Sequence, residues 1–156
     1  MDVVSLYTNI PHQYGITAVK EALREHNIST PNPDLIAEML EFILTKNFFQ
    51  FNNEFFLQLQ GTAVGTKVAP AYANIDSSKL EKDILTSTPK KQQKWKRFID
   101  DIHFRWPHTT DELIQFYTFC NNIHETLKFT IEHSNSELPF LDNIRIIRNN
   151  QRETKV

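Results

Sequence analysis

Cysteine is almost absent from this sequence of 156 residues, which carries Cys120 alone. A single cysteine excludes an internal disulfide framework and any zinc site built from several cysteines. It is compatible with an intracellular compartment. The sequence also lacks an apolar run long enough to span a membrane, and its N-terminus lacks the basic and apolar regions of a signal peptide. We therefore expect a soluble protein with no membrane partner.

An excess of charge of one sign is missing as well. The net charge is −2 at pH 7, which excludes a uniformly basic nucleic-acid-binding chain. The apolar content of 40% and the charged content of 23% are typical of a globular protein. The length predicts a single domain over residues 1–156. Most of the twelve phenylalanines are expected in its core, because large aromatic side chains supply much buried area.

Glycine is scarce, and two of the three glycines lie close together at Gly61 and Gly65. Such spacing predicts a sharp bend or a close approach by a ligand. A helix is expected from Thr66 to about Leu85, with Pro70 tolerated in its first turn.

The remaining pattern predicts an α+β fold. Helices are expected over Gly15–Asn27, from Pro33 or Asp34 to near Lys46, and over Asp111–Leu127. Strands are expected over Asp2–Tyr7, in a hairpin around Asn52-Asn53, over Lys128–Glu132 and over Pro139–Ile147, the last followed by a turn at Asn149-Asn150 and a return strand.

The most informative stretch is Trp95–Trp106, in which apolar residues alternate on both sides of Asp100 and Asp101. This alternation predicts two short strands joined by a tight turn. Adjacent carboxylates raise each other's pKa unless a cation lies between them, and Mg²⁺ prefers such oxygen ligands. A solvated Asp-Asp surface turn without function is the alternative.

The aromatic-x-Asp-Asp hairpin resembles the catalytic hairpin of reverse transcriptases. Two further segments are similar to the same family in the right order: Asp2–Pro11 resembles its first catalytic-aspartate strand, and Leu59–Asn74 resembles its Gln-Gly loop and following helix. The amino-acid sequences of Leu6–Pro11 and of Leu138–Asp142 are most similar to the reverse transcriptases of Penelope-like retroelements. The second of these segments resembles the segment that grips the primer in that family.

This resemblance implies a polymerase palm, in which a small antiparallel sheet carries the Asp-Asp hairpin and packs against helices. It also implies that the chain is a palm fragment, with fingers and thumb largely missing. The implied activity is RNA-directed DNA synthesis, with an RNA template, a DNA primer and deoxynucleoside triphosphates as partners. Two Mg²⁺ ions, or Mn²⁺, would be the cofactors. The location would be intracellular, and nuclear if the element is eukaryotic.

The resemblance assigns catalysis and metal binding to Asp2, Asp100 and Asp101. Ligands from two adjacent strands would hold the two ions. In related polymerases the aspartate that corresponds to Asp101 binds metal less consistently than the other two.

The resemblance assigns substrate binding to four other residues. Tyr7 would exclude a 2′-hydroxyl by bulk, or is a core tyrosine; Gln60 and Gly61 would contact the incoming nucleotide and template, or form a simple turn. Lys128 would donate a proton near the triphosphate, or is a solvated lysine at a strand edge.

Other interpretations stay open. The basic stretch Lys90–Arg97 is either a solvated connection or a phosphate contact, and His12 and His103 are expected to be structural. The chain as a whole is either a polymerase core or a non-catalytic remnant, recruited by a host, that binds nucleic acid or a protein partner. A metal-dependent nuclease would need a base or a water-positioning group that the sequence does not indicate.

Overall fold

The computed structural model describes residues 1–148 and 151–155, so the turn predicted at Asn149-Asn150 lies outside the described residues. The predicted α+β class is confirmed. The helices are α1 (Leu6–Asn9), α2 (His12–Glu25), α3 (Pro33–Thr45), α4 (Ala69–Ser87) and α5 (Thr110–Ile123). The strands are β1 (Asp2–Val3), β2 (Phe48–Phe51), β3 (Glu54–Leu57), β4 (Gln93–Phe98), β5 (Asp101–Arg105), β6 (Phe129–Thr130), β7 (Glu137–Phe140), β8 (Asn143–Arg148) and β9 (Gln151–Lys155).

A small antiparallel sheet in the order β4-β5-β1-β6 lies at the centre of the fold. Its inner face carries Val3, Ile102 and Phe129, which are almost completely buried. These side chains share one hydrophobic core with Leu80 of α4 and Phe116 of α5. Because side chains alternate across a strand, Asp2 and Asp101 lie on the opposite face.

Helix α2 packs against α4, and α3 packs against α2. Gly15 of α2 lies directly under the ring of Tyr72 of α4, where a Cβ atom would clash with that ring. Glycine therefore lets these two helices approach closely. Asn32 caps α3, because its side chain accepts a hydrogen bond from the Asp34 N–H at 2.9 Å.

Three predicted strands have different bounds from those expected. The strand predicted over Lys128–Glu132 is only Phe129–Thr130. The strand predicted over Asp2–Tyr7 ends at Val3, because Ser5 adopts a left-handed φ of 48° that turns the chain into α1. The strand predicted over Pro139–Ile147 is two strands, β7 and β8, joined by a turn at which Leu141 has a φ of 54°. Neither turn carries the glycine that usually marks such a backbone.

The phenylalanines of the β2–β3 hairpin are exposed, which corrects their predicted burial. All eight residues of the two strands are exposed. The hairpin forms a separate two-stranded sheet, with Asn52 and Asn53 at φ values of 50° and 61° in its turn. Phe49 stacks on Phe56 across the strands with ring centroids 5.6 Å apart. The aromatic side chains thus pack mainly against each other.

None of the helices in the described part of the chain combines the length and the apolar character needed to cross a membrane. The longest, α4, includes a buried aspartate, Asp76.

Candidate carboxylate site

The Asp-Asp hairpin forms as predicted, with one adjustment. Strands β4 and β5 pair so that Phe98 lies opposite Asp101, which leaves Ile99 and Asp100 as the two turn residues. Asp101 is therefore the first residue of β5, while Asp100 lies in the turn. Ile99 has a left-handed φ of 53°, a conformation that β-branched residues rarely adopt.

The sheet brings Asp2 next to Asp101, although the two are far apart in sequence. They are register partners in the antiparallel pair of β1 and β5. The Val3 N–H donates to the Asp100 carbonyl at 3.1 Å, and the Ile102 N–H donates to the Met1 carbonyl at 2.7 Å. Register partners present their side chains on the same face, so both half-buried carboxylates lie on the outer face of the sheet.

The three aspartates interact electrostatically. Partial burial raises the pKa of Asp2, and the negative charges of Asp100 and Asp101 raise it further. A bound cation would remove this repulsion. Three carboxylates are also the hard oxygen donors that Mg²⁺ prefers, so the donor set fits the expected metal. Within residues 1–148 and 151–155, no three His, Cys, Asp or Glu side chains are already gathered into a metal-binding cluster; the carboxylates are neighbours through backbone register.

The loop at Gln60 and Gly61 lies against α1, the helix that contains Tyr7. The Gly61 N–H donates to the Ile10 carbonyl at 2.9 Å, and the Gln60 side-chain amide donates to the Asn9 carbonyl at 3.1 Å. A third bond joins the next residue of the loop to the Tyr7 carbonyl at 2.7 Å. The structure therefore brings Tyr7, Gln60 and Gly61 together as one unit, and the side chain of Gln60 helps to hold it.

Gly61 is required at this contact for two reasons. Its φ is 73°, in the left-handed region that favours glycine. A Cβ atom would also clash with the Tyr7 carbonyl and come within 2.6 Å of the Thr8 Cα atom. In addition, His12 Nε2 lies 2.9 Å from the Gly61 carbonyl oxygen. This contact supports the structural role that the sequence indicated for His12.

The ammonium of Lys128 lies at the C-terminal end of α5. Its ammonium donates to the Asn121 carbonyl at 2.6 Å and to the His124 carbonyl at 2.9 Å, where the last turn of α5 leaves carbonyls without helical partners. Its own carbonyl accepts from the Val4 N–H at 2.8 Å. The backbone of Lys128 thus adjoins β1, whereas its ammonium caps α5.

The β7–β8 hairpin approaches the outer face of the sheet. The Phe140 ring of β7 lies 5.1 Å from the ring of His103, between centroids. Burial lowers the pKa of His103, and Arg145 of β8 lowers it further. His103 follows Asp101 by two residues and therefore shares its face. The segment that resembles a primer grip is thus near the aspartates.

Arg97 was missed as a site residue, because the sequence placed it in the basic stretch Lys90–Arg97. Its side chain is only 10% exposed and pairs with Glu81 of α4 at 2.9 Å, so a solvated connection is wrong at this position. The alternation of side chains in β4 could have predicted this burial. Arg97 follows Trp95 by two residues and therefore lies on the same, inward-facing side of the strand.

Comparisons with protein-family models, with curated proteins and with solved structures found no match to this chain.

Proposed function

We propose that the chain is the palm portion of an RNA-directed DNA polymerase, a reverse transcriptase that adds deoxynucleotides to the 3′-hydroxyl of a primer on an RNA template. The proposal rests on three sequence motifs that resemble that family and on the places where those motifs lie in the fold.

One observation carries the proposal, namely the register of β1 and β5. Three carboxylates from two adjacent strands are needed to hold two divalent ions at one point. The pairing of Asp2 with Asp101, and the bond from the Val3 N–H to the Asp100 carbonyl, support that requirement, because they bring the backbones of the three aspartates together. An Asp-Asp turn of purely structural origin gives no reason for a third aspartate in register on the neighbouring strand.

Each residue has a defined part in the proposed reaction. Asp2 and Asp100 would be the principal ligands, with Asp101 in support. Mg²⁺ ions held by these carboxylates would supply activation of the attacking hydroxyl and charge stabilisation of the triphosphate. Tyr7 would select against a 2′-hydroxyl, and Gln60 and Gly61 would form the wall of the nucleotide site beside it. The position of Lys128 supports its structural alternative.

Primer extension on an RNA template tests this proposal. The wild-type chain is compared, with Mg²⁺ and with Mn²⁺, with the double variant Asp100→Ala/Asp101→Ala. Loss of the metal ligands is expected to reduce extension by more than about 100-fold, because metal ions contribute several kcal/mol to such reactions. Asp111→Asn is the matched control, since Asp111 is an exposed aspartate of α5. Extension by the double variant equal to that of the wild type would contradict a catalytic role for the two aspartates, whereas no extension by the wild type would favour the second candidate function below.

A second candidate function is a non-catalytic palm-like fragment that binds a protein partner. The exposed aromatic side chains of the β2–β3 hairpin favour it, because extended apolar patches mark interaction surfaces. If this candidate is correct, the wild-type chain should not extend a primer, and Mg²⁺ or Mn²⁺ should affect the wild type and the double variant equally.

A further inference from the structure

The turn that carries Asp100 is held in a conformation that its own residues do not favour. Ile99 has a φ of 53°, whereas tight hairpin turns usually place Gly, Asn or Asp at such positions. A β-branched residue with positive φ persists only where surrounding contacts hold it. The contacts of the neighbouring carbonyl groups show what holds this turn.

Two bonds anchor consecutive carbonyls of the turn. The Asp100 carbonyl accepts from the Val3 N–H at 3.1 Å. The Ile99 carbonyl accepts from the Nη1 group of Arg97 at 3.0 Å. The first bond belongs to the sheet ladder, whereas the second comes from a side chain. Arg97 therefore fixes the peptide unit that joins Ile99 to Asp100.

The same guanidinium is held by three residues of α4. Its Nε donates to Glu81 at 2.9 Å, its Nη1 to the Asn74 side chain at 2.9 Å, and its Nη2 to the Ser78 hydroxyl at 2.8 Å. Ser78 donates its own hydroxyl hydrogen to the Asn74 backbone carbonyl at 2.8 Å, which leaves a lone pair for Arg97. The donor and acceptor roles are thus consistent throughout the network.

Arginine suits this place for a geometric reason. Its planar group directs several N–H donors along fixed directions, and here it reaches four acceptors on α4 and in the turn at once. Lysine has three donors on one rotating nitrogen and would not span the same separation. A charged side chain that is 10% exposed and paired with Glu81 is also costly to disturb.

We propose that Arg97 is a positioning residue for the metal-binding carboxylates, acting by clamping the Ile99–Asp100 peptide to α4. The inference rests on the proposed function, because it assigns Arg97 to the same carboxylate site. It adds that the orientation of Asp100 is set by a helix on the inner face of the sheet. Residues that orient metal ligands in this way usually affect metal affinity by roughly 10–100-fold.

The test measures Mn²⁺ affinity by electron paramagnetic resonance of the free ion, without any nucleic acid. Arg97→Met removes the clamp, and Arg97→Lys keeps the charge but loses the fixed donor directions. Asp100→Asn reports whether binding occurs at the proposed site. Leu44→Ala is the control for lost stability, since Leu44 is buried in α3, a helix that packs against α2 and away from Arg97.

We expect Arg97→Met to weaken Mn²⁺ binding by roughly tenfold or more, with Arg97→Lys in between. Leu44→Ala should stay within about twofold of the wild type, although it melts at a lower temperature. In metal-free protein, the amide resonances of Ile99, Asp100 and Asp101 should shift in Arg97→Met and stay in place in Leu44→Ala. A purely structural role would not produce this separation.

Three outcomes overturn the inference. Binding within about twofold of the wild type in both Arg97 variants would remove the positioning role and leave the proposed function intact. Equal weakening by Leu44→Ala and Arg97→Met would show that lost stability alone is responsible. Wild-type binding that is absent, or that Asp100→Asn leaves unchanged, would overturn the proposed function and the inference together. If Arg97→Met does not fold, Arg97→Lys alone decides between the first outcome and the expected one.

Discussion

A single carboxyl group inside α4 is expected to make the stability of the fold depend on pH. Asp76 is completely buried, and neither of its carboxylate oxygens has a hydrogen-bond partner. Burial raises its pKa to about 7, and the ammonium of Lys79 opposes this only in part. The other titratable groups that interact with it are Tyr14 of α2 and Tyr72 of α4. Around neutral pH the folded protein therefore retains a proton that the unfolded chain releases.

Replacement of this residue by asparagine should remove that dependence. Because the folded pKa is raised, the stabilisation is complete below the ordinary pKa near 3.8 and is lost as the pH rises to about 7. Asp76→Asn should thus be more stable than the wild type at pH 8, by up to about 4 kcal/mol. The difference should fall below half at pH 5. Urea unfolding at both pH values measures it, with Asp111→Asn as the control; a difference that does not change with pH would contradict the assignment.

At the scale of elements, the contact between α1 and the loop at Gly61 depends on one backbone conformation. Gly61→Ala should reduce the free energy of unfolding by about 2 kcal/mol or more, because φ is positive and the added Cβ atom would clash with backbone. Gly65→Ala is the matched control, since a Cβ atom added at Gly65 would meet nothing within 4 Å, and it should be neutral or slightly stabilising. Chemical denaturation compares the two; equal effects would mean that the loop does not depend on this contact.

The sequence predicted correctly the turns and helix ends that depend only on neighbouring residues. The start of α3 at Pro33, the turn at Asn52-Asn53 and the Asp-Asp hairpin all follow from residues within a few positions. The left-handed turns at Ser5 and Leu141 were missed, because neither residue type indicates positive φ. For α5 the sequence predicts a start at Asp111, whereas the helix begins at Thr110, behind a capping box formed by Thr109 and Glu112.

At the scale of the whole molecule, local sequence patterns do not show which surfaces pack together. The pairing of Asp2 with Asp101 joins residues that are far apart in sequence, and no local pattern specifies that register. Only the family resemblance indicated it. The burial of the phenylalanines was predicted from residue type alone. The β2–β3 hairpin shows the limit of that reasoning, because a strand buries its side chains only where another layer packs against it.

The exposed aromatic surface of that hairpin should be detectable in solution. Its six large apolar side chains are each 40–69% exposed: Phe48, Phe49, Phe51, Phe55, Phe56 and Leu57. The double variant Phe49→Thr/Phe56→Thr removes the stacked pair while keeping residues that favour strands. It should bind the dye ANS less strongly than the wild type, because ANS fluorescence reports exposed apolar surface. Its free energy of unfolding should change by no more than about 1 kcal/mol.

The control for this experiment is Ile114→Thr, which removes a single apolar side chain that is 55% exposed on α5. An isolated exposed side chain contributes little to a contiguous patch, so the dye signal should remain close to that of the wild type. If both variants lower the fluorescence equally, the dye is not reporting the hairpin. If the double variant instead unfolds, the two rings hold the strands together, since an isolated two-stranded sheet is only marginally stable in water.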